Sequence, residues 1–521
     1  MPTTLPDKAF VHLRPEDNLV VAARHLGRGD SLHAAGREVT LRNPIKLGHK
    51  ASIVDIEAGE AIRKYGQIIG FASADIPAGT HVHVHNCSAR AFERDYAFAN
   101  EVPAAAPVPA EPRTFRGYVR ADGRVGTRNY VAVISTVNCS ASTSKYITAR
   151  MTRDVLRDFP NIDGVIPITH KGGCAIPFDG PDHAQLERTL AGIARHPNVG
   201  AYLLVGLGCE VGQASHLIRS QKLVQVGGLS GPEPESNAPP VITIQEAGGI
   251  NKTVEASVQA LMRLLPRAGD VRRSEVPASK LVVGLQCGGS DGSSGVTANP
   301  ALGLAMDAIV WQGGTAVLGE IPEIYGGEHL LTRRAVSRAV GEALLERIQW
   351  WEWYANIFGA EMNNNPSPGN IEGGLTTIYE KSLGAIAKGG STPLTAVYKY
   401  AEQVTEKGFV VMDTPGYDPV SMTGIVAGGA NVCVFTTGRG SVYGCKPSPC
   451  IKVASNTLLY ERMEDDMDVN AGTILDGLPL EEMGRHILEK ILAVASGEAT
   501  KSELGGVGEE EFAPWSIGPL F

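Results

Sequence analysis

The sequence predicts an α/β protein made of a small N-terminal β module, a proline-rich linker and a large α/β region with mainly parallel sheets. Three observations predict it. Residues 1–98 carry short β patterns at 50–56, 61–65, 67–72 and 81–85, separated by Gly and Pro turns. Residues 101–112 (EVPAAAPVPAEP) hold four prolines and little apolar bulk, the composition of a semi-rigid spacer. Beyond them, apolar β-branched runs at 131–137, 164–169, 201–207 and 281–286 alternate with amphipathic helical stretches such as 184–195 and 254–265. Runs apolar on both faces suit strands covered by helices on both sides.

These signals divide the chain into a β domain at 1–98, a linker at 99–115, a first α/β domain at 116–275 and a second at 276–521. A chain of 521 residues is too long for one ordinary core, since domains run to roughly 100–200 residues. A long helix is expected over 335–358, where Trp350, Trp351 and Trp353 read as core or subunit interface. Another is expected over 480–495.

Composition excludes several classes. Hydrophobic residues at 43% and charged residues at 20% are those of a folded globular chain. The net charge of -9, from 47 Lys+Arg against 56 Asp+Glu, gives no basic excess to drive binding to nucleic acid or an anionic membrane. No apolar run approaches the roughly 18 residues of a membrane span. The N-terminus lacks a basic segment followed by an apolar one, so no secretory leader is read and the cytoplasm is expected. Eight cysteines are too few for a disulfide scaffold at this length, which points to reduced thiols.

Four cysteines share a context. Cys139, Cys174, Cys209 (followed by Glu210) and Cys287 each lie just past a predicted strand, the edge where open α/β sheets bind ligands. They read either as an iron site, a cluster with one open iron included, or as small buried apolar side chains. A second constellation is His81, His83 and His85, which share one face if the segment is a strand. Imidazoles so placed bind a metal or move protons, and a solvated edge strand is the competing reading. Gly48-His49-Lys50 adds another His/Lys pair in the same module.

Polar glycine-rich loops at 288–300, 363–370 and 436–443 form a third set. They offer hydroxyls, amides and backbone N–H groups to a polyhydroxylated ligand, with Ser290, Asp291, Asn299 and Asn370 as binding residues. Arg439, between two glycines, is a carboxylate clamp by virtue of its bidentate fork, or else a loop tie to Asp466 or Asp468. No phosphate loop and no dinucleotide fingerprint is present.

Together these segments resemble the altronate/galactarate dehydratase family. The resemblance rests on 79–86 (GTHVHVHN), 117–129 (GYVRADGRVGTRN), 206–210 (GLGCE), 286–300 (QCGGSDGSSGVTANP), 365–370 (NPSPGN), 437–440 (TGRG) and 470–472 (NAG). It implies an N-terminal β-clip of the SAF type and elimination of water from an aldonic or aldaric acid, altronate first and galactarate next. It also implies a divalent metal, Fe2+ above all, with Mn2+ or an iron–sulfur cluster as alternatives. The metal ligands expected are Cys139, Cys174, Cys209, Cys287 and Glu210. The base and acid are expected among His81, His83, His85, His170 and Lys171. A homo-oligomer, a dimer, is expected. The sequence departs from the family pattern at His170-Lys-Gly-Gly-Cys174, where an aromatic residue usually precedes Gly-Cys, and at 444–450 (GCKPSPC). The rival readings are a sulfo-lyase acting on sulfolactate and a sugar-acid-binding protein without turnover.

Overall fold

A computed structural model describes residues 9–92, 94–104, 111–225 and 238–517. The middle of the expected spacer, 105–110, lies outside the described residues.

The N-terminal module is built from small antiparallel sheets. Strands Phe10–Val11, Leu19–Ala22, Lys50–Ser52 and His81–Val82 form one. Ala61–Lys64, Gln67–Ala72 and Cys87–Ser88 form another. The expected strand at 81–85 is corrected here, since only His81–Val82 is extended. The cause is Asn86, whose Oδ1 accepts from the His83 N–H at 2.9 Å while its Nδ2 donates to the His81 carbonyl at 3.0 Å. This side chain closes a tight turn over 83–86, as Asn does where it mimics a backbone turn. The strand at 50–56 likewise ends at Ser52.

The large region holds two parallel sheets. The first has four strands ordered Gly164–Ile168, Tyr130–Ser135, Val199–Gly206 and Val241–Thr243. Tyr130–Ser135 and Val199–Gly206 are buried throughout, as strands covered on both faces must be. The second has seven, ordered Leu394–Tyr398, Gly408–Met412, Thr315–Leu318, Val282–Cys287, Val432–Thr437, Cys450–Ala454 and Val469–Asn470. Thr114–Val119 pairs antiparallel with Val125–Gly126 and with Ser274–Pro277 in a separate three-stranded sheet.

The two sheets share a core. Helix Pro181–Ala194 packs on helix Asp418–Ala427, with Gly192 so close that a Cβ would lie 2.3 Å from the Ala427 carbonyl oxygen. Tyr202 and Leu204 of the first sheet belong to one buried cluster with Phe435 and Met422 of the second part. The tryptophan helix runs Arg338–Ile357 and is capped by Ser337, whose hydroxyl accepts from the Val340 N–H. Trp351 is buried and stacks on Trp515, whereas Trp353 is 58% exposed.

The β module docks on the second sheet through backbone contact and buried charge. A Cβ at Gly292 would sit 1.9 Å from the Gly48 carbonyl oxygen, so only glycine admits this approach. Lys50 and Lys64 reach out of the module, fully buried, to opposite oxygens of Glu380 at 2.9 and 2.8 Å. Burial alone would raise the Glu380 carboxyl. The two ammonium groups override it and hold the group well below the usual carboxylate range.

Candidate active site

The seven-stranded sheet reverses its order between Val282–Cys287 and Val432–Thr437, and open sheets bind ligands beyond the carboxyl ends of such strands. At that edge lie Cys287, the last residue of its strand, Glu320 and Glu323, which follow one strand, and Asp418, Arg439 and Asn456, which follow three others. The loop 287–293 forms a ridge there with a cleft on either side.

The first cleft, of about 210 Å³, opens between the β module and this edge. Its walls carry His25, Lys46, His49, Arg439 and Arg462 against Asp291 and Glu372. His49, His81 and His83 converge beside it, with ligand atoms within 4.8 Å of one another. His49 Nδ1 lies 3.0 Å from His81 Nε2, and His49 Nε2 lies 3.1 Å from the Glu372 carbonyl oxygen. Burial, reinforced by the neighbouring imidazoles, pushes His81 down to about 3. Burial and the Lys50 ammonium push His83 down to about 4. Both rings are therefore neutral at pH 7, the form that ligates metals. His83 Nδ1 is buried and has no partner, and an orphaned imidazole nitrogen beside two others fits a metal ion. His85 is exposed and outside this set, although its ring lies 5.6 Å from that of His81.

Arg439 is 41% exposed and pairs with Glu372 at 2.8 Å. The expected tie to Asp466 or Asp468 is not made: Asp468 accepts from the Lys452 and Lys501 N–H groups instead. Gly440 has φ +107°, and Gly438 lies so close to Asp291 that a Cβ would sit 2.2 Å from its Cγ. Both glycines are thus needed to bring the arginine to the cleft.

The second cleft, of about 290 Å³, lies across the ridge and ends on Cys287, Glu323, Lys381 and Asp418. Beneath it two buried lysines each meet a carboxyl group. Lys381 pairs with Glu323 at 2.6 Å and Lys388 with Glu320 at 3.0 Å. Gln286 Nε2 donates to Glu320 and Asp418, both at 2.8 Å. Burial, with Glu323 nearby, raises Glu320 to about 8. Burial raises Asp418 to about 6. The Cys287 sulfur lies 3.4 Å from Glu323 and 3.7 Å from Glu320, so burial and these carboxylates push its thiol up and keep it protonated.

The other expected residues distribute as follows. Cys139, Cys174 and Cys209 are exposed at the carboxyl edge of the four-stranded sheet, whereas Cys287 is buried on the other sheet. The four therefore divide between two sheets, since strand-end position recurs in every parallel sheet. The loops bearing the first three are stitched together by Asn138 N–H to the Gly172 carbonyl and Gly212 N–H to the Gly173 carbonyl, each 3.0 Å. Glu210 is buried there and spends both oxygens on Thr136, Leu207 and Gly208. The acid–base expectation for His170 is corrected: it is buried, Nε2 meets the Ser135 carbonyl at 2.9 Å and Nδ1 accepts from the Gly172 N–H at 3.1 Å, so neither nitrogen is available. Lys171 is exposed at that edge, on the other sheet from the one that carries the ridge.

Of the loop residues, Asp291 lines the first cleft and accepts from Ser294, Ser455 and Asn456, which ties the ridge together. Asn299 bridges Thr436 and the Gly384 carbonyl. Asn370 closes a capping box with Ser367 and holds the Ser290 carbonyl at 2.9 Å. The Ser290 hydroxyl is buried without a partner. Sequence reasoning missed Glu320, Glu323, Lys381, Lys388 and Glu380. A signal existed for Glu320, which follows Thr315–Leu318 as Cys287 ends its own strand.

Comparison with known proteins bears on all three parts of the chain. Residues 8–90 match the altronate/galactarate dehydratase SAF domain. Residues 117–269 match the D-galactarate dehydratase/altronate hydrolase second domain, and 278–520 the D-galactarate/altronate dehydratase C-terminal domain. The chain is 35% identical to the altronate dehydratase of Bacillus subtilis (strain 168), over 95% of this chain and 97% of that one. It is 38% identical to the galactarate dehydratase (L-threo-forming) of Escherichia coli (strain K12), over 95% and 94%. It is 33% identical to the (2R)-sulfolactate sulfo-lyase subunit beta of Chromohalobacter salexigens, over 77% and 96%.

Proposed function

The chain belongs to the altronate/galactarate dehydratase family, a family of hydro-lyases, and from that premise we propose that it dehydrates altronate, or a closely related aldonate or aldarate, at the first cleft with Fe2+ held by His49, His81 and His83. One observation carries this reading: three neutral imidazoles, one with an unpartnered buried nitrogen, stand beside a cleft rich in cations. A sugar acid needs that pairing of a Lewis-acid position with a carboxylate grip. No helix among the described residues is long and apolar enough to cross a membrane. The free cysteines accord with a reducing cytoplasm.

An ion held by His49, His81 and His83 would supply Lewis acidity toward the charge that develops as the α-proton leaves. The chain's own residues do the rest. Arg439 releases Glu372 and takes the substrate carboxylate in its place, with Lys46 and Arg462 adding to the field. Glu372, freed of its ion pair and lining the cleft, accepts the C2 proton. The C3 hydroxyl leaves as water, taking the proton that Glu372 accepted, and the resulting enol tautomerises to the 2-keto-3-deoxy acid. The ridge holds the clamp in place through Asp291 and Asn456.

The experiment is a panel of altronate, galactarate and sulfolactate presented to the iron-loaded, thiol-reduced enzyme, assayed for 2-keto-3-deoxy acid and for sulfite. A keto acid from a sugar acid with no sulfite supports the reading. Sulfite release alone, or no product from any sugar acid, overturns it. The single-chain architecture accords with dehydration, because the sulfo-lyase relatives are separate alpha and beta subunits.

A further inference from the structure

A second cluster of metal-ligating side chains lies on the four-stranded sheet, apart from both clefts. The loop after strand Gly164–Ile168 ends in Asp179, and helix Pro181–Ala194 presents His183 from its first turn. His216 comes from helix Ala214–Gln221, which follows strand Val199–Gly206. One ligand atom from each of the three lies within 4.8 Å of the others. Asp179 Oδ1 is 3.6 Å from His216 Nε2 and 3.9 Å from His183 Nδ1. Ligands about 2.0–2.1 Å from a tetrahedral zinc are spaced at about 3.4 Å, so a small inward shift completes the set.

Two further observations bear on a ligand. The His183 side chain is 1% exposed; its Nδ1 takes only a long hydrogen bond from the Asp179 N–H at 3.3 Å, and its Nε2, 3.9 Å from Glu187 Oε1, has no hydrogen-bond partner. His216 Nδ1 meets Glu187 Oε1 at 2.7 Å, and Ser220 donates to the other Glu187 oxygen at 2.9 Å. A carboxylate on the far nitrogen of an imidazole is the arrangement that orients metal-binding histidines. Phe178 packs against both rings, with centroids 5.1 and 4.8 Å away.

We propose that Asp179, His183 and His216 form a site for Zn2+ or a similar divalent transition metal, with Glu187 as the positioning carboxylate. Two imidazoles and one carboxylate leave a fourth position for water, a donor set suited to zinc. The ion clips together the loops that follow strands Gly164–Ile168 and Val199–Gly206. Those loops carry Cys174 and Cys209, so the clip holds the cysteine edge in shape.

The site is tested in the full-length His81→Ala/His83→Ala protein, so that zinc at the first cleft does not contribute. Zn2+ is titrated against a chromophoric chelator, and melting temperature is followed with and without zinc. The site predicts tight zinc binding that raises the melting temperature. Asp179→Asn, at a position 68% exposed and so harmless to folding, abolishes that rise and weakens binding at least tenfold. Glu187→Gln weakens binding about 10–100-fold, the effect of losing an orienting partner. His216→Asn removes the tight class of sites. Zinc affinity and zinc-dependent melting unchanged in both Asp179→Asn and His216→Asn would overturn the proposal.

Discussion

The two clefts on either side of the 287–293 ridge hold opposite solutions to the burial of polar groups. At the histidine cleft the rings are neutral and His83 Nδ1 is left without a partner. At the Cys287 cleft each of two buried lysines meets a carboxyl group, Lys381 with Glu323 and Lys388 with Glu320. Helix Ile378–Ile386 serves both, since Glu380 faces the lysines of the β module while its neighbour Lys381 faces Glu323. The difference teaches where each region can take on something new. An unsatisfied neutral donor set gains by taking up a cation. A paired set loses stability when one partner is removed.

The largest effect expected is on the charge network beneath the histidines. Glu380→Gln leaves Lys50 and Lys64 buried without a counter-charge, at about 3–5 kcal/mol. Limited proteolysis should show the N-terminal module detached, and turnover should fall with it. A module still docked, with an unchanged melting temperature, would remove the network from the account.

Arg439→Lys comes next. Losing a bidentate, charge-assisted contact costs about 1.5–3 kcal/mol, a loss of roughly 10–150-fold in kcat/KM. Because Arg439 is 41% exposed and its ion pair is with an exposed Glu372, the melting temperature should hold. Unchanged kcat/KM in a stable variant would refute the carboxylate clamp.

A pH experiment separates the clefts by about 1–3 kcal/mol. Asp418 is partly buried, and burial raises its carboxyl from the usual 3.8 to about 6. A raised acid contributes stability that is present below the unfolded value and lost as pH rises through the folded one. Wild-type stability should therefore fall between about pH 4 and 6 relative to Asp418→Asn, which keeps an oxygen for Gln286 to donate to. Denaturant midpoints of the two proteins across that window read the difference, and parallel curves would show the carboxyl to be ordinary. The smallest effect is expected from His85→Ala, whose ring is exposed. A change within about 0.5 kcal/mol, near twofold in kcat/KM, would mark it as surface, and a large loss would return it to the site.

The fold was readable because its signals are local. Runs apolar on both faces announced strands such as Tyr130–Ser135 and Val199–Gly206, and alternation with helices announced parallel sheets. The histidine cluster was readable by residue type but not by shape, because the turn at 83–86 depends on the Asn86 side chain. His49 completes the cluster from 32 residues away, a distance that no periodicity spans. The cysteines were misleading as a group because both sheets end strands in similar Gly-rich loops. The pairing of Glu320 and Glu323 with Lys388 and Lys381 was invisible, since charged residues carry no pattern that tells a buried pair from a solvated face.

The central claim is that His49, His81 and His83 hold the ion on which turnover depends. The most direct measurement is altronate turnover as Fe2+ is titrated, under reducing conditions, into metal-stripped wild-type enzyme and the His81→Ala/His83→Ala variant. The account predicts that stripped wild type is silent and recovers with iron. It also predicts that the variant stays at least about 10³-fold lower at saturating iron, the loss of several kcal/mol of charge stabilisation. Full activity of the stripped wild type, or equal recovery of the variant at the same iron concentration, would contradict it.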